Sequence, residues 1–213
     1  MVTTQSPPEH RLILHHVSWE TYQRLLQDFE NSSAPRLTYD RGTLEIMTPL
    51  PEHEEYGRFF EFVLVAVEEA TGTKIYSFGS TTFSRDDLQQ GFEADACFYI
   101  QNGSRVRGKD RFDLHVAPPP DLVIEIATSH PSLGKLPIYA QIGVPEVWRY
   151  VDGVIEILLL DGEQYINVPR SRALPIVTAQ ALTGLVRASR GLSQGERLRL
   201  ARECIGAPGT PSE

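Results

Sequence analysis

The 213 residues include 20 lysines and arginines against 28 aspartates and glutamates, a formal net charge of −8 at pH 7. This balance argues against a protein that coats nucleic acid through bulk electrostatics, but it allows a local basic groove. Hydrophobic residues make up 41% of the chain, and no apolar run approaches the roughly 20 residues needed to span a bilayer. Cys97 and Cys204 form no metal-ligand cluster and no disulfide framework, so we expect a cytoplasmic protein with no membrane partner.

The first half of the chain is predicted to mix helices with short strands. Ser18 can cap a helix over residues 19–29. Strands over 36–39 and 43–47 flank a glycine-containing turn, which indicates a hairpin. Pro51 then introduces the longest predicted helix, residues 52–70, which should end at Gly72. Short strands over 74–78 and 81–83 complete this half.

The second half predicts a strand, a helix over 131–142 and another strand over 146–151, which together form a βαβ-like unit. Turns at 152–153 and 161–162 separate further strands over 154–160 and 164–168, so a C-terminal strand meander follows. Helices over 178–189 and 193–204 close the domain. The pattern predicts a mixed α/β (α+β) fold: one domain over 13–205, with disordered ends at 1–12 and 206–213.

One carboxylate lies in an unexpected place. Glu125 stands inside Asp121–Ala127, a short, apolar, β-branched run typical of a strand buried on both faces. An ionised carboxylate there costs several kcal/mol unless a metal, a cation or hydrogen bonds compensate it. Both an active site and a structural ion pair are consistent with this position.

A second acid lies in a similar run upstream. Residues 93–100 read as one strand, whose alternation puts Glu93, Asp95, Cys97 and Tyr99 on one face. If this strand neighbours that of Glu125, Asp95 and Glu125 can converge on one cation, and such oxygen ligands suit Mg²⁺. Asp121 is roughly 13 Å from Glu125 along its strand, too far to share an ion, and is interpreted as a solvated strand start.

A basic segment separates the two acidic strands. Its four cations occupy alternate positions, and if the segment is extended they all lie on one side, as a phosphate-tracking edge requires. Gly103, Gly108 and Asp110 equally suit a solvated loop, so both interpretations stay open. The candidate nucleic-acid-binding residues are Arg105, Arg107, Lys109 and Arg111.

These segments resemble the Uma2 family of restriction-endonuclease-like proteins. The resemblance runs over Pro118–Ile126 and Ser132–Tyr150, with further similarity at Leu44–Pro49, Glu52–Glu54, Phe78–Phe83, Glu93–Asp95 and Val106–Asp110. It implies a mixed central sheet flanked by helices and metal-dependent phosphodiester cleavage. The superfamily signature is Pro-Asp, a spacer, then Asp/Glu-x-Lys.

The resemblance assigns roles to individual residues. Asp95 and Glu125 become the two acids that hold Mg²⁺ or Mn²⁺, with the Ile126 carbonyl as a candidate third ligand. The signature's proline is Ala94 here, and its lysine is Ala127, which can neither orient water nor stabilise charge.

Lys135 is the natural replacement for that missing lysine, because it lies near the start of the following helix and is long enough to return to the strand end. Its alternative is a surface lysine with a buried stem.

The long helix supplies one more candidate. His53, at its N-terminus, is a candidate to bind a phosphate or shuttle a proton. Its acidic neighbours also suit a helix start for purely electrostatic reasons. Tyr139 and Trp148 are predicted to belong to the core.

The sequence therefore carries several functional hypotheses. The first is a metal-dependent endonuclease acting on DNA, working as a homodimer that pairs through the meander over 146–168. The alternative is a catalytically inactive nuclease-fold module for binding or interaction, motivated by Ala127 and the acidic charge. Hydrolysis of another phosphodiester, such as RNA, would use the same residues.

Overall fold

The computed structural model of the protein describes residues 10–30, 32, 34–108, 113–127 and 133–206, without the side chains of His10, Glu52, His53 and Ala127. Eleven strands lie in this described part of the chain: β1 His10–Leu14, β2 Arg36–Asp40, β3 Thr43–Thr48, β4 Tyr76–Gly79, β5 Thr82–Arg85, β6 Gln90–Glu93, β7 Ala96–Tyr99, β8 Leu122–Ala127, β9 Glu146–Val151, β10 Val154–Asp161 and β11 Gln164–Val168. The helices described are α1 Trp19–Asp28, α2 Pro51–Thr71, α3 Gly103–Val106, α4 Lys135–Ile142, α5 Ala179–Ala188 and α6 Gln194–Gly206.

The strands form two sheets. The first is antiparallel with the order β1-β3-β2-β6-β5, and the second has the order β11-β10-β9-β8-β7-β4. In the second sheet β8 and β9 are parallel and joined through α4, while β7 and β10 run antiparallel to their neighbours. The predicted mixed α/β fold and its strand meander β9-β10-β11 are therefore confirmed.

Local signals set the ends of the helices. The Ser18 hydroxyl accepts the N–H of Thr21 at 3.2 Å, which starts α1 as predicted. Gly72 ends α2 in the left-handed conformation, at φ 72°, which costs glycine little. Strand β1 was not predicted, and it begins inside the segment 1–12 that was expected to be disordered.

The largest core packs α2 and the C-terminal helices against one face of the second sheet. Phe60 of α2 meets Trp148 of β9 edge-on, with ring centroids 6.4 Å apart. Trp148 and Tyr139 are both fully buried, as predicted. None of the helices among the described residues combines the length and apolar character that a bilayer crossing requires.

The predicted single strand over 93–100 is wrong. Strand β6 ends at Glu93 in the first sheet, and β7 begins at Ala96 in the second. Ala94 and Asp95 lie between them, where the chain passes from one sheet to the other. Side-chain alternation therefore stops at this break, and Glu93 does not share one strand face with Cys97.

Two other interpretations are corrected. Residues 103–106 form the short helix α3, so the basic segment is not one extended edge. Arg105 and Arg107 are exposed there, whereas Lys109 and Arg111 lie outside the described residues.

Asp121 is not solvated but buried. Its carboxylate accepts the N–H groups of Ile100 at 2.7 Å and Asn102 at 2.9 Å, and the Asn102 side-chain amide at 2.6 Å. These bonds join the end of β7 to the start of β8, which gives Asp121 a structural role.

Replacing Asp121 with alanine should lower the free energy of unfolding by about 2–4 kcal/mol, because buried N–H groups lose their acceptor. Urea denaturation measures the change. Asp28→Ala, at an exposed residue of α1, is the control and should change stability by less than about 0.5 kcal/mol. Equal losses in the two variants would contradict the structural role.

Candidate active site

Asp95 lies at the passage between the two sheets and bonds to both. Its Oδ2 accepts the N–H of Ile126 in β8 at 2.7 Å. Its Oδ1 accepts a hydrogen bond from Nη1 of Arg36, at the start of β2. Arg36 is only 5% exposed and donates through Nη2 to Glu54 of α2 at 2.9 Å. One carboxylate is thus held by elements from both sheets, and α2 is tied to the same group.

Glu125 is held by α4. The Lys135 ammonium donates to both carboxylate oxygens, at 3.2 and 3.1 Å, and the Tyr139 hydroxyl donates to Oε1. Lys135 and Tyr139 are four residues apart, so one helical face carries both donors. Lys135 also donates to the Glu93 carbonyl at 3.0 Å. The structure therefore places the Lys135 amine at the acid pair rather than in solvent.

The electrostatics of Glu125 follow from its surroundings. Burial raises the pKa of this carboxyl, the positive charge of Lys135 opposes the rise, and the negative charge of Asp95 adds to it. The two acids are therefore close enough to repel each other. Burial and the Glu125 charge also raise the pKa of Tyr139, which keeps its hydroxyl a neutral donor.

Both acids border a cavity of about 210 Å³. Its walls come from β1, β3, β8, β9 and α4, so both sheets contribute. Besides Asp95, Glu125 and Lys135, the residues that line it are Arg11, Met47, Ile126, Leu133, Gly134, Leu136, Pro137, Tyr139 and Arg149.

The strand registers explain which side chains reach this cavity. In the first sheet, Arg11, Met47 and Arg36 lie side by side across β1, β3 and β2. In the second sheet, Glu125, Arg149 and Glu156 lie side by side across β8, β9 and β10. The residues of these two rows that line the cavity are Arg11, Met47, Glu125 and Arg149.

The acid pair fits a divalent cation. Carboxylates are hard oxygen ligands of the kind that Mg²⁺ prefers, and a cation between Asp95 and Glu125 would offset their mutual repulsion. Asp86, Asp87 and His115 form another group of potential ligands among the described residues, but all three are exposed on the surface. That cluster does not border the cavity.

Among the other predicted site residues, the structure describes the side chains of two. Arg105 in α3 and Arg107 at its C-terminal end are exposed and do not line the cavity. The side chain of His53, like Lys109 and Arg111, lies outside the described residues.

Sequence reasoning missed Arg36, Arg11 and Arg149. Arg36 could have been found from the sequence, because a cation at the start of an apolar strand requires a compensating acid, just as Glu125 requires a compensating cation.

Residues 19–190 match a family model described as "Putative restriction endonuclease". This match defines the class as restriction-endonuclease-like. The family is Uma2, and the chain belongs to it, which confirms the resemblance seen in the sequence.

Among solved structures, the chain is similar to a crystal structure described as "a putative nuclease belonging to DUF820" from Anabaena variabilis ATCC 29413. The sequences are 14% identical, the similarity covers 89% of this chain and 99% of that chain, and the TM-score is 0.49. A comparison with curated proteins found no match.

The raised pKa of Glu125 predicts a pH-dependent stability. The folded protein holds this proton more tightly than the unfolded chain, so the free energy of unfolding should fall as pH rises from about 4.5 through the raised value. Urea denaturation over a pH series in EDTA measures the fall, which should be smaller in Glu125→Gln. Part of it should remain, because burial also raises the pKa of Glu93.

Glu69→Gln is the control, because Arg202 lowers the pKa of that exposed carboxyl instead. It should retain the fall seen in the wild type. An unchanged fall in Glu125→Gln would show that another group causes it.

Proposed function

We propose that the protein is a metal-dependent endonuclease that hydrolyses phosphodiester bonds in DNA. The observation that carries the proposal is the convergence of two carboxylates, one buried and one largely buried, and one ammonium group on a single cavity. Asp95 and Glu125 would hold Mg²⁺ or Mn²⁺, with the Ile126 carbonyl as a candidate third ligand. Bound there, the cation would activate water and offset the charge that develops on the scissile phosphate.

Three side chains near the acid pair would supply the remaining catalytic and positioning roles. The Lys135 ammonium lies 3.1 Å from a carboxylate oxygen of Glu125, and the Lys135 side chain is only 11% exposed. Its charge therefore acts at the cavity with little screening by water. It is placed to orient the attacking water or to stabilise the negative charge on the phosphate. The lysine absent at position 127 is thereby replaced from α4. Tyr139 and Arg36 orient the two carboxylates.

The shape of the site supports this division. Arg36 and the Ile126 N–H act on different oxygens of Asp95, which holds the plane of the carboxylate. Lys135 donates to both oxygens of Glu125 and Tyr139 donates to Oε1, which fixes the plane of that carboxylate as well. A preorganised ligand pair of this kind needs little rearrangement during catalysis.

One observation favours the alternative of an inactive binding or interaction module. Each acid already has a cation partner, Arg36 for Asp95 and Lys135 for Glu125. Two structural ion pairs would satisfy the same geometry without any metal. Metal binding separates the two functions.

The decisive test is calorimetric titration of Mg²⁺ and Mn²⁺ with plasmid cleavage alongside. Wild-type protein should bind the metal and nick DNA. Asp95→Asn and Glu125→Gln should lose both properties, because each removes a charged ligand. Lys135→Met should cleave about 100-fold more slowly, because it removes the charge that acts on the water or phosphate. It should keep metal binding, because the cation then compensates the Glu125 charge that Lys135 paired.

Asp87→Asn, in the exposed acidic cluster, is the matched control and should leave binding and cleavage unchanged. Binding that survives in Glu125→Gln would refute the metal site. No binding by the wild type, with or without DNA, would favour the inactive module, and cleavage of RNA but not DNA would change the substrate.

The proposed active form is a homodimer that pairs through the strand meander. Strand β11 is the edge of the second sheet, and Ile166 on it is 47% exposed. Val154, at the start of β10, is 44% exposed. Exposed apolar side chains along a sheet edge suit contact with a second copy.

Sedimentation velocity should show a dimer for the wild type and a monomer for Ile166→Asp, because a charge in the contact opposes pairing. The melting temperature of the monomeric variant should stay within a few degrees of the wild type, since the side chain is half exposed. A monomeric wild type at high concentration would refute the dimer.

A further inference from the structure

A nuclease with this composition has an electrostatic problem. The chain carries a net charge of −8, so the protein as a whole repels nucleic acid, and the two carboxylates of the cavity add local repulsion unless cations there outweigh it. Phosphate binding must therefore come from cations that lie at the cavity itself. Besides Lys135, the cations among the described residues that line it are Arg11 and Arg149.

Arg11 reaches the cavity from the first sheet. It lies on β1, and its Nη1 donates to Glu45 of β3 at 3.3 Å. Glu45 is 1% exposed and also accepts the N–H of Leu133 at 3.0 Å, two residues before Lys135. Arg11 itself is 16% exposed. Its guanidinium is thus oriented by a buried carboxylate, and the side chain lines the cavity.

Arg149 reaches the cavity from the second sheet. It lies beside Glu125 in the register of β8 and β9. Its Nε and Nη2 donate to one oxygen of Glu156, at 2.8 and 2.6 Å, and the two side chains are 33% and 31% exposed. Ion pairs this exposed contribute little to stability, so Arg149 can exchange Glu156 for a phosphate at low cost.

We propose that Arg11 and Arg149 bind the phosphodiester backbone of the DNA substrate at the cavity, one from each sheet. Arginine is suited to this, because its planar guanidinium binds phosphate oxygens in pairs and remains charged at every relevant pH. The inference rests on the proposed function for the identity of the ligand. It assigns substrate binding to residues different from those that hold the metal.

The test is fluorescence anisotropy of a labelled DNA duplex over a series of salt concentrations. Ca²⁺ replaces Mg²⁺, because it accepts the same oxygen ligands with looser geometry and should not support rapid cleavage. Arg11→Gln and Arg149→Gln should each weaken binding roughly tenfold and lower the slope of log affinity against log salt by about 0.9. Calorimetric Mg²⁺ affinity should not change in Arg149→Gln.

Arg202→Gln is the matched control, because Arg202 also donates through Nε and Nη2 to a glutamate, at 2.8 Å each, but on the remote helix α6. It should bind DNA as the wild type does. Arg11→Lys keeps the charge and should keep the salt slope. This separates loss of phosphate binding from loss of the contact with Glu45, and thermal unfolding verifies that each variant is folded.

Unchanged salt slopes in Arg11→Gln and Arg149→Gln would overturn the inference even if the wild type cleaves DNA. No duplex binding by the wild type would overturn it too. Arginine-dependent binding without cleavage or metal binding would support the inference while refuting the proposed nuclease activity, so the two failures are distinguishable.

Discussion

The structure depends on how the chain crosses from one sheet to the other at Asp95. Strand β6 belongs to the first sheet and β7 to the second, and the short connection between them carries the carboxylate. Its two oxygens bond to Arg36 of the first sheet and to the backbone of Ile126 in the second. Buried charge is tolerated only where both hydrogen bonds and an opposite charge compensate it. The hydrogen bonds and the opposite charge that Asp95 needs therefore hold the two sheets together beside one cavity.

The same requirement explains why the cavity contains alternating charges. Breaking a buried ion pair by removing one partner typically costs about 3–5 kcal/mol, so Arg36 and Lys135 are needed for stability whatever else they do. The pKa of Glu125 is nevertheless raised, because burial and the nearby Asp95 outweigh Lys135. The cations compensate the pair incompletely. Under the proposed function, a cation bound at the two acids would relieve their remaining repulsion, so the residues that stabilise the fold here would also hold the metal.

Sequence reasoning succeeded where the determining physics is local. Ser18, Gly72 and the turn glycines set the ends of elements through their own backbone preferences, and the apolar character around Glu125 was enough to mark it as unusual. Sequence reasoning failed where the structure depends on contacts between distant segments of the chain. Nothing in residues 93–100 indicates that the run changes sheets. Asp121 pairs with Asn102 and Asp95 pairs with Arg36, and tertiary contact rather than sequence spacing sets both pairs. Lys135 was suggested by family resemblance, since a spacing of ten residues alone does not predict its contact with Glu125.

If the protein acts on DNA as proposed, an acidic protein meets an acidic polymer, and the distance of each charge from the cavity decides its effect. At physiological ionic strength the Debye length is about 8 Å, so exposed acids far from the cavity are largely screened, while charges inside it are not. What matters to a phosphate at the site is then the balance of local charges. Asp95, Glu125, Lys135, Arg11 and Arg149 line the cavity, and Arg36, Glu45 and Glu156 are ion-pair partners of three of them. A divalent cation at the acids would shift this balance toward positive. Under the proposed function, the net charge of −8 would limit non-specific attraction to DNA and would confine productive contact to the cavity.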